Sequence, residues 1–252
     1  MLTEAALRRA LDRLGLDAPV RFDEVTGSTQ ETASSLAATA APEWTLVAAG
    51  HQTAGRGRLG RSWHDVSGRA LIFSLVLRPD LDPDRGGLLT LLAGWAMATA
   101  ARDRGHDVGC KWPNDLMLGD GKVGGILAES VVVGDRFEHV VLGLGVNVGE
   151  APGDVAGASS LDEPDPAALL EGFLGHLVHR YEPGHPAFTG AVLEGYREVC
   201  VTLGRTVRVL TMDGGLGPQG EAVDVDGSGA LVVRTDDGLV PVRFGEVEHL
   251  AV

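Results

Sequence analysis

The sequence predicts an α/β chain in which a mixed β-sheet flanked by helices is followed by a small β-barrel. Three observations predict it. Helical and strand patterns alternate through the first part of the chain, two tight-turn dipeptides then join apolar strands into an antiparallel sheet, and from Leu203 only short β-like pieces follow. At ~150 residues per domain, 252 residues make one large domain and one small one, divided here as 1–202 and 203–252. A hydrophobic content of 44% is enough for a core.

The elements follow in order. Leu7, Ala10, Leu11 and Leu14 recur at helical spacing, so the first segment is a helix that buries one stripe and stops at Gly15. A strand is expected over 20–25. In GSTQE, Ser28 precedes Glu31 by the spacing of a capping box, and small residues carry the helix to about 41. Strands are expected at 44–49 and 70–77, the second with Leu71, Phe73, Leu75 and Leu77 alternating with smaller or more polar residues. Residues 87–104 have the composition of a largely buried helix. The apolar run 88–101 would span ~21 Å, short of the ~30 Å hydrocarbon core, so no membrane span is expected. A strand at 108–112 ends at Pro113, and hairpin turns at Asp120-Gly121 and Gly134-Asp135 join strands 116–118, 124–133 and 137–146. The run GEAPGDVAGA at 149–158 reads as a mobile surface loop. Helices at 165–181 and 187–200 precede TVRVL, GEAVDVD, GALVVRT and VPVRFGEVEHL, the pieces of the expected barrel.

Lys+Arg 21 against Asp+Glu 35 leaves −14, a field that repels nucleic acids and anionic membranes. Any anion site must therefore be a local basic exception. Two cysteines, Cys110 and Cys200, form no disulfide framework, and neither they nor the eight histidines have metal-ligand spacing. With no signal peptide at the start, the expected compartment is the cytoplasm.

The basic exception is HQTAGRGRLGRSW at 51–63, where Arg56, Arg58 and Arg61 occur with no acid. Gly55, Gly57 and Gly60 free the backbone N–H groups to converge on phosphate, and the guanidinium groups add charge and paired donors. Spacing alone fits a solvated basic loop or a nucleic-acid-binding segment equally well. In KWPND, Pro113 leaves Asn114 and Asp115 at an exposed strand end near Lys122, where Asp115 could hold Mg²⁺; a turn-forming Asn-Asp pair is the alternative. In GKVGGILAE, Gly124 and Gly125 let a ligand lie against bare backbone, whereas Lys122 alone also reads as a surface charge. In GLGVNV, Asn147 could read a ribose or purine edge, or be a buried turn residue; without a third glycine and a following helix the segment is not a dinucleotide-binding loop. Trp63 and Trp112 can stack on a base or pack in the core, and Cys110 reads as a buried strand residue.

Taken in register, Ser28-Thr29, GRGRLGR with Trp63, KWPND, KVGGIL and GLGVNV resemble the biotin protein ligase family, and the C-terminal β segment resembles that family's small C-terminal barrel. The resemblance implies a catalytic domain like that of class II aminoacyl-tRNA synthetases, with helices on one side of a mixed sheet, and a C-terminal SH3-like β-barrel. It implies an enzyme that makes biotinyl-5′-AMP from biotin and MgATP, then transfers biotin to one lysine of the biotin carboxyl carrier domain of a biotin-dependent carboxylase. By the same resemblance Lys122, Arg58 and Asp115 are catalytic, Asp115 being the metal-linked acid. Biotin is assigned to Ser28, Thr29, Gln30, Gln52, Gly55, Arg56, Arg58, Lys122, Gly124 and Gly125. ATP is assigned to Arg58, Arg61, Trp63, Lys111, Asn114, Asp115, Lys122 and Asn147. About 27 residues precede Ser28, which implies the monofunctional type without an N-terminal DNA-binding domain, and hence no DNA partner. The alternatives are a lipoate ligase of the same fold, whose usual Arg-Arg signature is missing, and a nucleic-acid module, which the −14 charge and 5% aromatic content oppose.

Overall fold

The computed structural model describes residues 2–212 and 214–250, so Met1, Asp213, Ala251 and Val252 of the two expected domains lie outside the described residues. The chain runs α1 (Glu4–Arg13), β1 (Val20–Asp23), α2 (Thr29–Ala38), β2 (Leu46–Ala49), β3 (Ala70–Leu77), α3 (Gly87–Asp103), β4 (Val108–Lys111), β5 (Asp115–Leu118), β6 (Gly121–Val133), β7 (Arg136–Asn147), α4 (Pro166–Arg180) and α5 (Phe188–Val199). Five further strands follow: β8 (Thr206–Leu210), β9 (Leu216–Val225), β10 (Leu231–Thr235), β11 (Gly238–Val242) and β12 (Glu246–His249).

β1 to β7 form one sheet in the order β1-β2-β3-β7-β6-β5-β4, in which only β1 and β2 pair in parallel. Helix α3 is Leu/Ala-rich around its whole circumference, so it is buried between the sheet and helices α4 and α5. Helix α2 covers the opposite face: Ala33 and Ala37 pack with Val47, Val76 and Val141, whereas Leu46, Phe73 and Leu75 point into the main core. The one-sided helical layer that the resemblance implied is therefore incomplete. For the same reason all eight residues of β3 are buried.

Two local expectations also need correction. The first hairpin turns at Gly119-Asp120, one residue early, because Gly119 supplies a φ of +58°. Ser28 is the N-cap of α2, but its hydroxyl makes no capping bond.

The expected SH3-like barrel is an open five-stranded sheet, ordered β11-β10-β9-β8-β12. A barrel needs its edge strands paired. Here VPVRFGEVEHL breaks into β11, which pairs with β10, and β12, which pairs with β8, so the two lie at opposite edges, with no ladder between them among the described residues. Gly245, with φ +125°, lies between them.

Trp112 ties this sheet to the large one. Its ring is buried, its Nε1–H donates to the Gly229 carbonyl at 3.0 Å, and its backbone N–H donates to Thr202 Oγ1 at 3.0 Å. This is the packing alternative, not a stacking platform. Segment 149–158 contains no helix or strand, and its far end is stitched to β6 where the Lys122 N–H donates to the Gly157 carbonyl at 2.8 Å. No helix among the described residues is long and apolar enough to cross a membrane.

Candidate active site

A cleft opens on the α2 side of the large sheet. Gly143 and Gly145 on β7 and Gly125 on β6 carry no side chain on that face, beside Ile72 and Ser74 of β3: Gln30 packs over Gly143, Trp63 packs over Gly145, and Gly125 is left more open. The N-terminus of α2 closes one end and the Gly-Arg segment arches over the other.

The floor is polar, buried and neutral. Gln52 Oε1 accepts from the Thr29 N–H at 2.7 Å and from its hydroxyl at 3.1 Å. The Thr29 and Ser74 hydroxyls lie 2.9 Å apart, Ser74 donates to Gln30 Oε1 at 3.1 Å, and Gln30 Nε2 donates to the Val141 carbonyl at 3.0 Å. The Ser28 hydroxyl is buried with no partner among the described residues, which leaves a donor or acceptor at the cleft it lines.

The mouth is cationic, and its cations are held by protein groups. Arg56 pairs with Glu129 at 2.9 Å, Arg61 with Glu246 at 2.6 Å and Lys122 with Asp115 at 2.5 Å. Arg58 donates to Asn114 Oδ1 at 3.1 Å and to the Gly245 carbonyl at 3.4 Å. Burial pushes the Arg58 pKa down, and the nearby Glu246 and Asp115 oppose that shift. Because β12 supplies Glu246, the C-terminal sheet forms part of the cleft wall.

The Gly-Arg segment is a short ribbon rather than a loose loop. Trp63 N–H donates to the Gly55 carbonyl at 2.9 Å and Gly57 N–H to the Arg61 carbonyl at 2.7 Å, with a 3-10 turn at Arg58–Gly60 where Leu59 has φ +56°. The ribbon carries Trp63 onto β7: its indole lies against the backbone of Gly145, and its Nε1 is buried without a partner among the described residues.

Of the residues expected at the site, Ser28, Thr29, Gln30, Gln52, Arg56, Arg58, Arg61, Trp63, Asn114, Asp115, Lys122 and Gly125 line this cleft. Four do not. Gly55 is buried within the ribbon, where a Cβ would stand 2.5 Å from the Trp63 carbonyl oxygen. Gly124 faces the other side of the sheet, where a Cβ would meet the Gly145 oxygen at 2.7 Å and Leu116 at 3.0 Å. Lys111 lines a separate groove with Arg205 and His249. Asn147 donates from Nδ2 to the Ser159 carbonyl at 2.9 Å, just past the end of segment 149–158, while its Oδ1 is buried without a partner among the described residues. Cys110 is buried outside the cleft, and burial pushes its thiol pKa up.

Sequence reasoning missed Ser74, Gly143, Gly145 and Glu246. Ser74 carried a signal, as the one hydroxyl in the apolar strand ALIFSLVL. The two glycines stood in GLGVNV, where attention went to Asn147. Glu246 carried none, because it meets Arg61 across 185 residues of chain.

The model of the biotin/lipoate A/B protein ligase family matches residues 22–147, half of the chain, and that of the biotin protein ligase C-terminal domain matches 202–250. Among curated relatives, the bifunctional ligase/repressor BirA of Bacillus subtilis is 32% identical over 98% of this chain and 79% of its own length. The biotin--[acetyl-CoA-carboxylase] ligase of Mycobacterium tuberculosis is 34% identical over 99% of this chain and 96% of its own. Among solved structures, the biotin protein ligase of Aquifex aeolicus in complex with biotin and ATP superposes with a TM-score of 0.71 at 26% identity, covering 91% of this chain and 97% of that one. With both modules matched in order and relatives aligned along nearly its whole length, the chain belongs to the biotin protein ligase family.

Proposed function

We propose that this chain is a biotin protein ligase that activates biotin with MgATP and transfers it to a lysine of a biotin carboxyl carrier domain. The observation that carries this reading is the division of one cleft into a buried neutral floor and a cationic mouth. Such a cleft suits a ligand with an uncharged polar head and an anionic tail that must meet a polyanion. The floor donors and acceptors of Ser28, Thr29, Gln30, Gln52 and Ser74 match a ureido head, which carries N–H donors and a carbonyl.

In the first step a biotin carboxylate oxygen bonds to the α-phosphorus of ATP as the bond to pyrophosphate breaks. Two anions must approach, so Lys122 and Arg58 offset the repulsion, Arg56 closes over the ligand and Arg61 takes phosphate charge. Each must exchange its present partner for substrate: Lys122 leaves Asp115 and Arg61 leaves Glu246. Trp63 serves the nucleotide side. Asn147, with an unpartnered Oδ1, serves it from outside the cleft lining, and Lys111 is assigned no contact with ATP.

No group of three or more His, Cys, Asp or Glu among the described residues could hold a metal ion by itself. That fits an ion carried by the nucleotide, which needs one or two carboxylates besides phosphates and waters, and Asp115 would supply one. A bound Mg²⁺ would supply charge neutralisation of the phosphates. In the second step the neutral amine of the acceptor lysine attacks the acyl carbon, the acyl–phosphate bond breaks, AMP leaves and the amine loses its proton. No covalent enzyme intermediate is required. We place the enzyme in the cytoplasm and divide it into a catalytic unit, 1–202, and a C-terminal unit, 203–252.

The test is biotin-dependent exchange of labelled pyrophosphate into ATP. Exchange that requires biotin supports the reading. Exchange with lipoate alone would move the substrate within the same chemistry, and exchange with neither acid would remove the ligase assignment.

A further inference from the structure

Below the ribbon lies a contact that the mechanism does not use. Asp65 follows the ribbon and its carboxylate is fully buried, with the side chain 0% exposed. Oδ2 lies 2.8 Å from His51 Nδ1, and Oδ1 accepts the backbone N–H of Gln52 at 3.3 Å. One carboxylate thus joins the segment that enters the ribbon to the segment that leaves it. Gly68 N–H, donating to the Gly50 carbonyl at 3.1 Å, repeats the link one step further out.

Gln52 is the residue whose Oε1 holds the Thr29 N–H and hydroxyl on the cleft floor. Its side chain can do so only if its backbone is fixed. On the outer side that backbone is fixed by the bridge to Thr26, and on the ribbon side by Asp65. Neither His51 nor Asp65 lines the cleft.

We propose that Asp65 is a positioning residue for the neutral end of the cleft: with His51 it fixes Gln52, and through Gln52 it sets affinity for the head group of the acid substrate but not for ATP. The inference rests on the reading of the cleft as a biotin site. Replacing Asp65 by alanine leaves the Gln52 N–H buried without an acceptor, at a cost of about 1–3 kcal/mol in such settings, which is roughly 5- to 150-fold if felt at Gln52. Asparagine, in contrast, preserves both links, accepting from Gln52 through Oδ1 and donating to the other tautomer of His51 through Nδ2.

The experiment measures biotin KM, ATP KM and kcat of the exchange reaction, with melting temperature alongside, for wild type, Asp65→Ala, Asp65→Asn and His51→Ala. The expected result is a biotin KM raised about tenfold in Asp65→Ala, an ATP KM within about twofold of wild type, and recovery in Asp65→Asn. If Asp65→Ala does not fold, His51→Ala carries the test with a smaller, still biotin-selective, rise. Unchanged biotin KM, equal rises for both substrates, or an Asp65→Asn as impaired as Asp65→Ala would overturn the proposal. A wild type without biotin-dependent exchange would instead overturn the functional reading, so the two failures are distinct.

Discussion

Gly145→Ala tests whether Trp63 rests on β7 as described. A methyl at Gly145 would stand 2.5 Å from Trp63 Cε2, 2.8 Å from Cζ2 and 2.9 Å from Nε1, against a relaxed carbon contact of about 3.5–4.0 Å. The indole must therefore retreat by about 1 Å, and overpacking of this kind costs roughly 1–3 kcal/mol. For a chain of this size that is a melting temperature lower by about 2–4 °C per kcal/mol. The same methyl at Gly125 meets nothing closer than 3.7 Å, so Gly125→Ala serves as the paired control. Thermal melts and tryptophan emission of both variants are the assay. The structure predicts a lower melting temperature and altered emission for Gly145→Ala, and wild-type values for ligand-free Gly125→Ala. A Gly145→Ala protein that melts and emits like wild type would refute the placement of Trp63.

Other consequences follow from buried charge and from the adenylate chemistry. Glu163, whose side chain is 1% exposed, accepts from Arg104 at 2.5 and 2.7 Å, and these bonds hold its pKa below the usual carboxylate value. Its contribution to stability is present above the unfolded carboxylate pKa of about 4.3 and is lost as pH falls through the folded value, so urea midpoints of Glu163→Gln should depend less on pH in that range. Burial, then Lys111 and Arg205, lowers the His249 pKa from 6.5 to about 4. Folding then favours the neutral imidazole, so its stabilisation is full above pH 6.5 and disappears as pH falls to about 4; His249→Asn should flatten stability across that window. A reactive adenylate must be kept from water, so segments 53–61 and 149–158, which flank the site, should resist protease better with biotin and MgATP bound; equal cutting rates would show that they do not cover it.

What the sequence made legible was local. The stripe of Leu7 and Leu11 and the Gly134-Asp135 turn are written within a few residues, and they appear where expected. That the C-terminal sheet stays open was not legible, because it turns on the pairing of Glu246–His249 with Thr206–Leu210, segments far apart in the chain. The same physics separates the site residues. Gly125 and Gly124 are neighbours in sequence, but strand alternation sends one to the cleft and the other to the helical core. Lys111 and Asp115 share one motif and one register pair, yet only Asp115 reaches the cleft, and the groove around Lys111 is built with Arg205 and His249 from beyond residue 200. The counter-ions of the mouth, Glu129 and Glu246, lie 73 and 185 residues along the chain from the arginines they hold.

The central claim is that this cleft joins a biotin carboxylate to the α-phosphate of ATP. Mass analysis of the bound product after a single turnover with biotin and MgATP, for wild type beside folded Lys122→Ala, tests it most directly. The account predicts biotinyl-5′-AMP on the wild type and little or none on Lys122→Ala. No adenylate on the wild type, or equal amounts on both proteins, would contradict it.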